Sequence, residues 1–237
     1  MKKSAALITG VSRGFGLELT REYCRLGWQV FGVLRSKVDG AQLSSEFGEA
    51  FVPILVDLRD DAATKNIRMS LEGKTNSLSL LINNAGIGGI GHYIEETSCS
   101  EIKELFEVHC CGAIRCLQAA LPFLRKAESA TIVNVSSRVG SISKVSSGSL
   151  DHIHLSYSMR MAKAAQNMLS ASLHRELRKT GIAVFAVHPG KILTRMASPD
   201  ADMSAEQAAK RFVNWLPKIR KEREFGYFEA GAEELSF

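Results

Sequence analysis

The chain has 237 residues, of which 45% are hydrophobic, and its formal net charge is +5. A chain of this length and apolar content predicts one α/β domain with a sizeable core. The surplus of basic residues forms no stripe, since Glu residues are interspersed with Lys and Arg at 101–107 and 174–179. The charge therefore argues against a nucleic-acid partner and suits a protein that binds a small polyanion.

The cysteines and the start of the chain bear on the compartment. Five cysteines, at 24, 99, 110, 111 and 116, lack the CxxC and His/Cys spacings of metal sites. Their odd number argues against a disulfide framework, so we predict reduced thiols and no metal ion. The apolar stretch between Lys3 and Thr9 is too short for a secretion signal, and no later apolar run has the length of a membrane span. These features predict a cytoplasmic protein.

Short apolar runs alternate with longer amphipathic segments along the chain. The runs predicted as strands are Ala5–Thr9, Gln29–Leu34, Phe51–Val56, Leu78–Ile82, Thr131–Val135 and Ile182–Val187. The segments predicted as helices lie near 15–27, 60–73, 101–127 and 158–179. Nearly continuous apolar strands joined by helices are typical of a parallel sheet covered on both faces. The pattern predicts a single three-layer, doubly wound α/β domain over 1–237, in which the Ser/Gly-rich stretch Gly140–Ser149 is an active-site loop.

A glycine-rich segment, Thr9-Gly10-Val11-Ser12-Arg13-Gly14-Phe15-Gly16, joins the first strand to the first helix. Here Gly10 permits a tight turn, Gly14 lets the backbone approach a pyrophosphate, and Gly16 allows close packing of helix on strand. The phosphates then meet free N–H groups at the start of the helix. Three spaced glycines alone can form a mere turn. At the first strand–helix junction of an alternating chain they predict a Rossmann-type dinucleotide site.

The end of the second strand bears on the choice of dinucleotide. An acidic residue there would accept hydrogen bonds from the adenosine ribose and favour NAD. This strand instead ends Val33-Leu34-Arg35-Ser36-Lys37, without a carboxylate. Arg35 and Arg13 together would bind a ribose 2′-phosphate, although either Arg alone is more often a solvated surface residue. The sequence therefore predicts NADP(H) as the cofactor.

Further motifs follow the later strands in a fixed order. They are Asn83-Asn84-Ala85-Gly86 after the fourth strand, Asn134-Val135-Ser136-Ser137 at the end of the fifth, and His188-Pro189-Gly190-Lys191-Ile192-Leu193-Thr194 after the sixth. With the glycine segment, these motifs resemble the short-chain dehydrogenase/reductase family over residues 5–237. Within it, Ser136–Ile142 and the tail from Gly226 to Gly231 are similar to the small carbonyl-reductase branch that includes sniffer and C-factor-like proteins.

The resemblance implies which residues line the cofactor. Asp57 and Leu58 would flank the adenine, and Ile192 and Thr194 would hold the nicotinamide carboxamide. Each motif also has a structural alternative, since the Asn pair can brace strands and Pro189-Gly190 can merely turn the chain. The full implied set is Gly10, Ser12, Arg13, Gly14, Phe15, Gly16, Arg35, Asp57, Leu58, Asn84, Ala85, Gly86, Tyr157, Lys163, Pro189, Gly190, Ile192 and Thr194.

The chemistry of the family needs three side chains. A phenol donates a proton while hydride reaches the carbonyl carbon, an ammonium group lowers the pKa of the phenol and holds the nicotinamide ribose, and a Ser hydroxyl orients the substrate oxygen. By resemblance, Ser137 fits the role of the hydroxyl. Lys163 fits the role of the ammonium, because the segment Ala162 to Met168 is similar to a helix motif of the family.

The phenol is displaced from the spacing of the family. The family places it four residues before the Lys, where this chain has Met159, whereas Tyr157 lies six residues before Lys163. In a continuous helix, six steps of about 100° put a side chain roughly 120° from the Lys face. We predict that Tyr157 donates the proton and that the long loop before it, rather than the helix, sets its direction. The alternatives are no catalytic acid, or Ser156, His152 or His154.

A second departure lies in the fourth helix of the family fold. His109 replaces the Asn that helps the family hold a proton-relay water. A His side chain binds water and ordinarily titrates near neutrality, so a substituted relay and a purely structural His are both compatible with the pattern.

The function predicted first is NADPH-dependent reduction of an aldehyde, ketone or 3-oxo compound, or the reverse oxidation. An enzymatic alternative is reduction of an activated C=C bond, suggested by the spacing of Met159 and Lys163. The alternative from another class is a nucleotide-binding regulator that has lost turnover, since intact cofactor motifs accompany a disturbed Tyr/Lys pair. A loop at about 195–212 is predicted to cover the substrate. The resemblance implies a homodimer or homotetramer formed through the fourth and fifth helices.

Overall fold

The computed structural model describes residues 3–153, 156–194, 197 and 200–237. In this part of the chain the strands are β1 Ala5–Thr9, β2 Gln29–Leu34, β3 Phe51–Leu55, β4 Leu80–Asn83, β5 Ala130–Val135, β6 Ile182–His188 and β7 Phe225–Glu229. The α-helices are α1 Gly14–Arg25, α2 Lys37–Phe47, α3 Ala63–Leu71, α4 Cys99–Phe106, α5 Gly112–Leu124, α6 Ile142–Ser146, α7 Tyr157–Leu177 and α8 Ala205–Glu222.

The described strands form one parallel sheet with the order β3-β2-β1-β4-β5-β6-β7. The chain moves outward from β1 to β3, returns past β1 to β4, and then continues outward to β7. The direction of winding thus reverses between β1 and β4. In such sheets ligands bind beyond the carboxyl ends of the strands at this reversal. The predicted doubly wound α/β fold is confirmed.

Two apolar layers cover the faces of the sheet. Successive side chains of a strand point to opposite faces, so β1 contributes Ala6 and Ile8 to one layer and Ala5 and Leu7 to the other. The first layer also contains side chains of α1 and α8, and the second contains side chains of α3 and α5. Because both faces are covered, every residue of β1 is buried. This burial explains why the strand is an unbroken apolar run in the sequence.

The structure contains elements that the sequence pattern did not predict, namely α2, α6, α8 and β7. Helix α6 lies within Gly140–Ser149, so the prediction that this whole stretch is a loop is wrong. The predicted substrate loop at about 195–212 is too long, because a capping box of Ser204 and Gln207 begins α8 at Ala205. Residues 195, 196, 198 and 199 of that loop lie outside the described residues. None of the described helices is long and apolar enough to cross a membrane.

The helix predicted near 101–127 is interrupted. It is observed as α4 and α5 joined by a π-helical turn, Glu107–Cys111, in which the N–H of Gly112 bonds to the carbonyl of Glu107. Single π turns are rare in helices overall, but those that occur are often found at functional sites. This turn packs against α7 and carries His109, one of the candidate site residues.

Candidate active site

The glycine segment after β1 folds into a tight loop. Gly10 has a φ of +71°, where an L side chain is strained, and a Cβ atom at this position would lie 2.9 Å from the Cα of Ala85. A Cβ atom at Gly16 would overlap the carbonyl oxygen of Gly10. Since both neighbours are backbone atoms, neither can move aside at low cost. The two glycines therefore allow α1 to begin directly against β1 and the loop after β4.

The start of α1 is open to an anion. Its N-cap residue Arg13 makes no side-chain capping bond, and its first turn contains no acidic residue. By contrast, Ser side chains accept N–H bonds at the starts of α2, α4, α7 and α8. The N–H groups of α1 and the positive end of its dipole therefore remain available for phosphate oxygens. Ser12 is half-buried in this loop, whereas the side chain of Phe15 packs in the core against Phe212.

Arg35 lies at the end of β2 with 62% of its side chain exposed, and its Nη1 is 3.7 Å from Oδ2 of Asp57. Asp57 is held more tightly by Arg59, at 2.6 Å, and this hydrogen bonding lowers the pKa of Asp57 to about 2. The guanidinium of Arg35 is therefore free to turn toward a phosphate. The side chain of Leu58 is buried in the core, and its place beside the adenine stays a prediction.

The loop after β4 is bound to the glycine segment. The Oγ1 atom of Thr9 accepts the N–H groups of Asn84 and Ala85, each at 2.9 Å, and Nδ2 of Asn84 donates to the carbonyl of Thr9 at 2.9 Å. Asn84 thus braces the two loops, which is the structural alternative that the sequence left open. Gly86 lies beneath the ring of His109, since a Cβ atom there would be 2.5 Å from Cε1.

The loop after β6 meets the glycine segment from the other side. Pro189 and Gly190 turn the chain, with a φ of +102° at Gly190. The side chain of Ile192 is buried in the core. The Cγ2 atom of Thr194 lies 3.6 Å from where a Cβ atom at Gly14 would stand. The loops after β1, β4 and β6 therefore converge at the reversal point of the sheet.

Lys163 lies on the buried face of α7, next to the end of β5. The residue is 7% exposed, and its Nζ donates to the carbonyl of Val135 at 2.6 Å and to Oε1 of Gln166 at 3.0 Å. Burial lowers the pKa of Lys163 to about 8. Ser137 is half-buried and follows Val135 by two residues. The structure therefore brings Ser137 and Lys163 to the end of the same strand.

Tyr157 is the first residue of α7, and Ser156 is the N-cap. The helix therefore sets the direction of Tyr157, and the prediction that the preceding loop does so is wrong. At about 100° per residue, its side chain lies roughly 120° from Lys163. It shares a face with Met161 and Met168, and the three residues are 36%, 50% and 68% exposed. The structure thus places Tyr157 on the exposed face of α7, apart from Lys163.

Two other side chains occupy the Lys163 face at the start of α7. Met159, four residues before Lys163, is half-buried and packs against an apolar cluster of Val139, Leu150 and Ile153. Ser156, seven residues before Lys163, is 2% exposed, and its Oγ accepts the N–H of Met159 at 3.2 Å. A thioether therefore stands where the spacing of the family would place the phenol.

Of the two loop histidines proposed as alternative acids, the structure describes one. His152 is exposed, with its Nε2 3.7 Å from Oδ2 of Asp200. His154 lies outside the described residues.

His109 is 1% exposed, and its Nε2 lies 2.9 Å from the carbonyl oxygen of Ile87. Burial, assisted by the nearby Lys163, lowers the pKa of His109 to about 3. The expectation that His109 titrates near neutrality is therefore wrong, and the ring is neutral at physiological pH. Its Nδ1 has no hydrogen-bond partner among the described protein atoms.

Sequence reasoning missed a polar network beneath Ser137. The hydroxyl of Ser136 donates to Oδ1 of Asn167 at 2.6 Å, and Nδ2 of Asn167 donates to the carbonyl of Gly140 at 3.1 Å. The buried hydroxyl of Tyr227, on β7, donates to the carbonyl of Ser137. The available signals were a polar residue one helical turn after Lys163 and a Tyr within an apolar C-terminal run. Together these bonds fix the backbone that carries Ser137.

The arrangement has a definite chemical capacity. A helix start without a side-chain cap, a half-buried hydroxyl and a buried ammonium lie along one edge of the sheet, beyond the ends of β1 and β5. Such an edge can bind an extended phosphate-bearing ligand and can present a hydrogen-bond donor to a polar oxygen.

Comparisons with known proteins agree with this geometry. The family model described as short chain dehydrogenase matches residues 4–205. Among curated proteins, the C-signal protein of Myxococcus xanthus is 29% identical over 161 residues, which are 68% of this chain and 93% of that protein.

Two solved structures match over their whole length. A carbonyl reductase from chicken fatty liver, solved with NADPH bound, is 26% identical with a TM-score of 0.88, and the match covers 100% of both chains. The carbonyl reductase Sniffer of D. melanogaster is also 26% identical, with a TM-score of 0.88 and 100% of both chains covered.

Proposed function

The chain belongs to the short chain dehydrogenase family, and from that premise we propose that it reduces the carbonyl group of an aldehyde, ketone or 3-oxo compound with NADPH, or catalyses the reverse oxidation. It is an NADP(H)-dependent oxidoreductase. One observation carries the proposal. The glycine loop, the hydroxyl of Ser137 and the ammonium of Lys163 share the carboxyl edge of the sheet where its winding reverses.

The residues present fit NADP(H). The uncapped start of α1 suits the pyrophosphate, and the exposed side chains of Arg13 and Arg35 suit a 2′-phosphate at the end of β2, where no acid opposes it. Lys163 would hold the nicotinamide ribose, and the loop containing Ile192 and Thr194 would hold the carboxamide. When bound, the reduced nicotinamide supplies the hydride.

Ser137 orients the substrate in this proposal. Its hydroxyl donates a hydrogen bond to the carbonyl oxygen and so stabilises negative charge as it develops there. The carbon gains the hydride while the C–O π bond opens. The oxygen gains a proton from water in the cleft, and the hydroxide that remains passes to the solvent and is neutralised there. Water is assigned because Met159 occupies the Lys163 face at the place of the phenol, and Tyr157 is exposed on another face.

Reduction of an activated C=C bond is the second candidate, favoured by the Met159 position. Hydride addition to a conjugated C=C bond leaves an enolate, whose delocalised charge needs a hydrogen-bond donor more than a strong acid. Ser137 and Lys163 supply a hydroxyl and a cation, and Ser156 lies on the same helical face, seven residues before Lys163.

We also propose that the protein acts in the cytoplasm as a homodimer or homotetramer. The fourth helix of the family corresponds here to α4 and α5, and the fifth corresponds to α7. These helices carry exposed apolar side chains, namely Phe106, Ile114, Met161 and Met168. Light scattering on the purified protein tests the assembly, and a monomer at micromolar concentration would contradict it.

A panel assay tests the activity. NADPH consumption is followed with aldehydes, ketones, 3-oxo esters and matched enones, and NADPH affinity is measured separately by fluorescence titration. Consumption with saturated carbonyl compounds supports the first proposal, and consumption with enones alone supports the second. Tight NADPH binding without consumption across the panel would reject both and leave a nucleotide-binding regulator.

A further inference from the structure

Two acceptors of the protein itself bind the ammonium of Lys163. It has three N–H donors, of which one bonds to the carbonyl of Val135 and one bonds to Oε1 of Gln166. One donor therefore remains for a ligand. Two fixed acceptors on a tetrahedral nitrogen also fix the direction of the third bond.

Gln166 lies one helical turn after Lys163 and is 1% exposed. Its Nε2 donates to the carbonyl oxygen of His109 at 3.1 Å, while its Oε1 accepts from Lys163. The reverse amide orientation would set an N–H group against the ammonium and an oxygen against a carbonyl. The partners at the two ends therefore determine the orientation of the amide.

The carbonyl oxygen that accepts from Nε2 of Gln166 belongs to the π-helical turn. His109 is the middle residue of Glu107–Cys111, so its carbonyl lies in the one turn of this helix that departs from α-helical bonding. Gln166 spans the space between that carbonyl and Lys163 with a single side chain. We propose that Gln166 is a positioning residue that fixes the Lys163 ammonium for the cofactor by linking it to the π turn. This inference rests on the proposed function only in assigning Lys163 to the cofactor.

Three buried titratable groups on the elements packed around Lys163 are uncharged near neutrality. Burial lowers the pKa of His109 to about 3 and raises the pKa of Cys110, also on the π turn, to about 11. Burial likewise raises the pKa of Tyr227 on β7 to about 12. Because these groups are neutral, Lys163 donates to dipoles and not to a charged group. The two acceptors are the carbonyl of Val135 and the amide oxygen of Gln166.

Charged groups elsewhere on the packed elements have other partners. Glu101 of α4 accepts the hydroxyl of Ser158, on a different face of α7. Arg138, in the turn after β5, binds Asp200 at 2.6 Å. Their charges therefore do not replace the contribution of Gln166.

The hydrogen bond from Lys163 to Gln166 determines in which direction the loss of Gln166 changes the pKa of Lys163. An acceptor on the ammonium favours its charged form, so removal of Gln166 lowers the pKa of Lys163 below about 8. The contribution of the ammonium to NADPH affinity is present below that pKa and is lost as the pH rises through it. In Gln166→Leu the loss of affinity with rising pH therefore begins at a lower pH than in the wild type. In Gln166→Glu a carboxylate beside the ammonium moves the loss to a higher pH.

The first measurement uses the ligand-free protein, so it stands even if the proposed function fails. NMR of 13C-labelled lysine gives the pKa of Lys163 in the wild type, Gln166→Leu and Gln166→Glu. A hydrogen bond to a charged group is worth about 1.5–3 kcal/mol, so we expect the pKa to fall by about 1 to 2 in Gln166→Leu and to rise in Gln166→Glu. A pKa that is the same in all three proteins would overturn the positioning role.

The second measurement is NADPH affinity between pH 6 and about 9. Gln166→Leu should bind about tenfold more weakly than the wild type near pH 8 and almost normally at pH 6, by the shift of one protonation equilibrium. The matched control is Gln118→Leu, the same substitution at an exposed position of α5. A uniform loss at every pH indicates only a packing defect and overturns the proposal. Absence of NADPH binding in the wild type would instead contradict the proposed function.

Discussion

At the scale of single residues, Tyr157 lies two positions earlier in the chain than the spacing of the family would place the phenol. Lys163 keeps the buried face of α7 and contacts the end of β5, but the phenol lies on the exposed face as Tyr157. Met159 occupies the position one turn before Lys163. A thioether is a weak acceptor and cannot donate a proton. Tyr157 and Met159 are therefore the positions at which this chain departs from the spacing that the resemblance implies.

A phenol placed on the Lys163 face should supply the missing acid. Met159→Tyr puts a hydroxyl one helical turn before the ammonium, and a positioned general acid contributes about 10²–10⁴-fold in rate. We therefore expect this variant to reduce a carbonyl substrate faster than the wild type, by up to that range, with NADPH affinity retained. Steady-state turnover on the best carbonyl of the panel measures the effect.

Two controls test whether the position of the added phenol, and not merely its presence, determines turnover. Met161→Tyr adds the same phenol on the exposed face and should leave turnover unchanged, as should Tyr157→Phe. If Tyr157→Phe lost tenfold or more in turnover while its NADPH affinity held, the exposed phenol would be the donor after all, as the sequence predicted.

The choice of dinucleotide also depends on single side chains. Arg35→Asp should weaken NADPH binding roughly ten- to hundredfold, since a charge-assisted hydrogen bond is worth about 1.5–3 kcal/mol, and should leave NADH affinity equal or improved. Arg178→Asp makes the same charge change at the end of α7, far from the glycine loop, and should alter neither affinity. An equal loss in both Arg variants would show a general effect of charge rather than a 2′-phosphate contact.

The sequence predicted these residues unevenly, for physical reasons. Gly10 and Gly16 were readable because a backbone constraint admits one residue type. Ser137 and Lys163 were readable because they lie in motifs that carry the resemblance to the family. The facing direction of Tyr157 was not readable, because it depends on whether α7 starts at that residue or after it. The role of Gln166 depends on a contact with the π turn, which is more than 50 residues away in the chain.

At the scale of elements, the helices differ in whether a side chain caps the N–H groups at their start. Helices α2, α4, α7 and α8 begin with a Ser side chain that satisfies a backbone N–H, whereas α1 leaves its first N–H groups without such a cap. Helix α3 also begins without a side-chain cap, but α1 follows β1 at the reversal of the sheet and packs close to it through glycine. Its open start is thus positioned for a ligand rather than for stability.

Gly16→Ala tests this packing. The added Cβ would overlap the carbonyl oxygen of Gly10, and overpacking of this kind costs about 1–3 kcal/mol. We expect urea unfolding to show that loss of stability, together with a loss of NADPH affinity, because the loop must shift. In Gly40→Ala the nearest atom is a flexible Leu55 methyl group at 3.3 Å, so stability should hold or improve. Unchanged stability and affinity in Gly16→Ala would contradict the close approach of α1 to the loop.

Element prediction succeeded for the strands in the centre of the sheet and failed for α2, α8 and β7. The strands in the centre of the sheet are buried on both faces and appear as continuous apolar runs. Helix α2 has Gly40 near its start and only a narrow apolar face, and β7 contains Gly226 at the edge of the sheet. For α8, the capping box at Ser204 was a readable signal that predicts a helix start.

At the scale of the whole molecule, the residues proposed to contact the cofactor lie in separate parts of the chain. The segments that meet at the reversal point follow β1, β2, β4 and β6, and they are joined by bonds such as those from Asn84 to Thr9. A ligand that bridges these segments binds the folded chain and not the unfolded one. Its affinity therefore adds to the free energy of unfolding of the whole domain.

Thermal unfolding with each dinucleotide tests this coupling and the specificity together. At a concentration 100 times its Kd, NADPH adds about 2.7 kcal/mol of stability, which for a domain of this size raises Tm by about 5–11 °C. NADH lacks the 2′-phosphate that Arg13 and Arg35 would bind, so at the same concentration it lies near its own Kd. It then adds about 0.4 kcal/mol, a rise of about 1 °C. In Arg35→Asp the rise with NADPH should shrink toward the NADH value. An equal rise with both dinucleotides in the wild type would contradict the assignment of the two Arg side chains, because their only target that differs between the ligands is the phosphate.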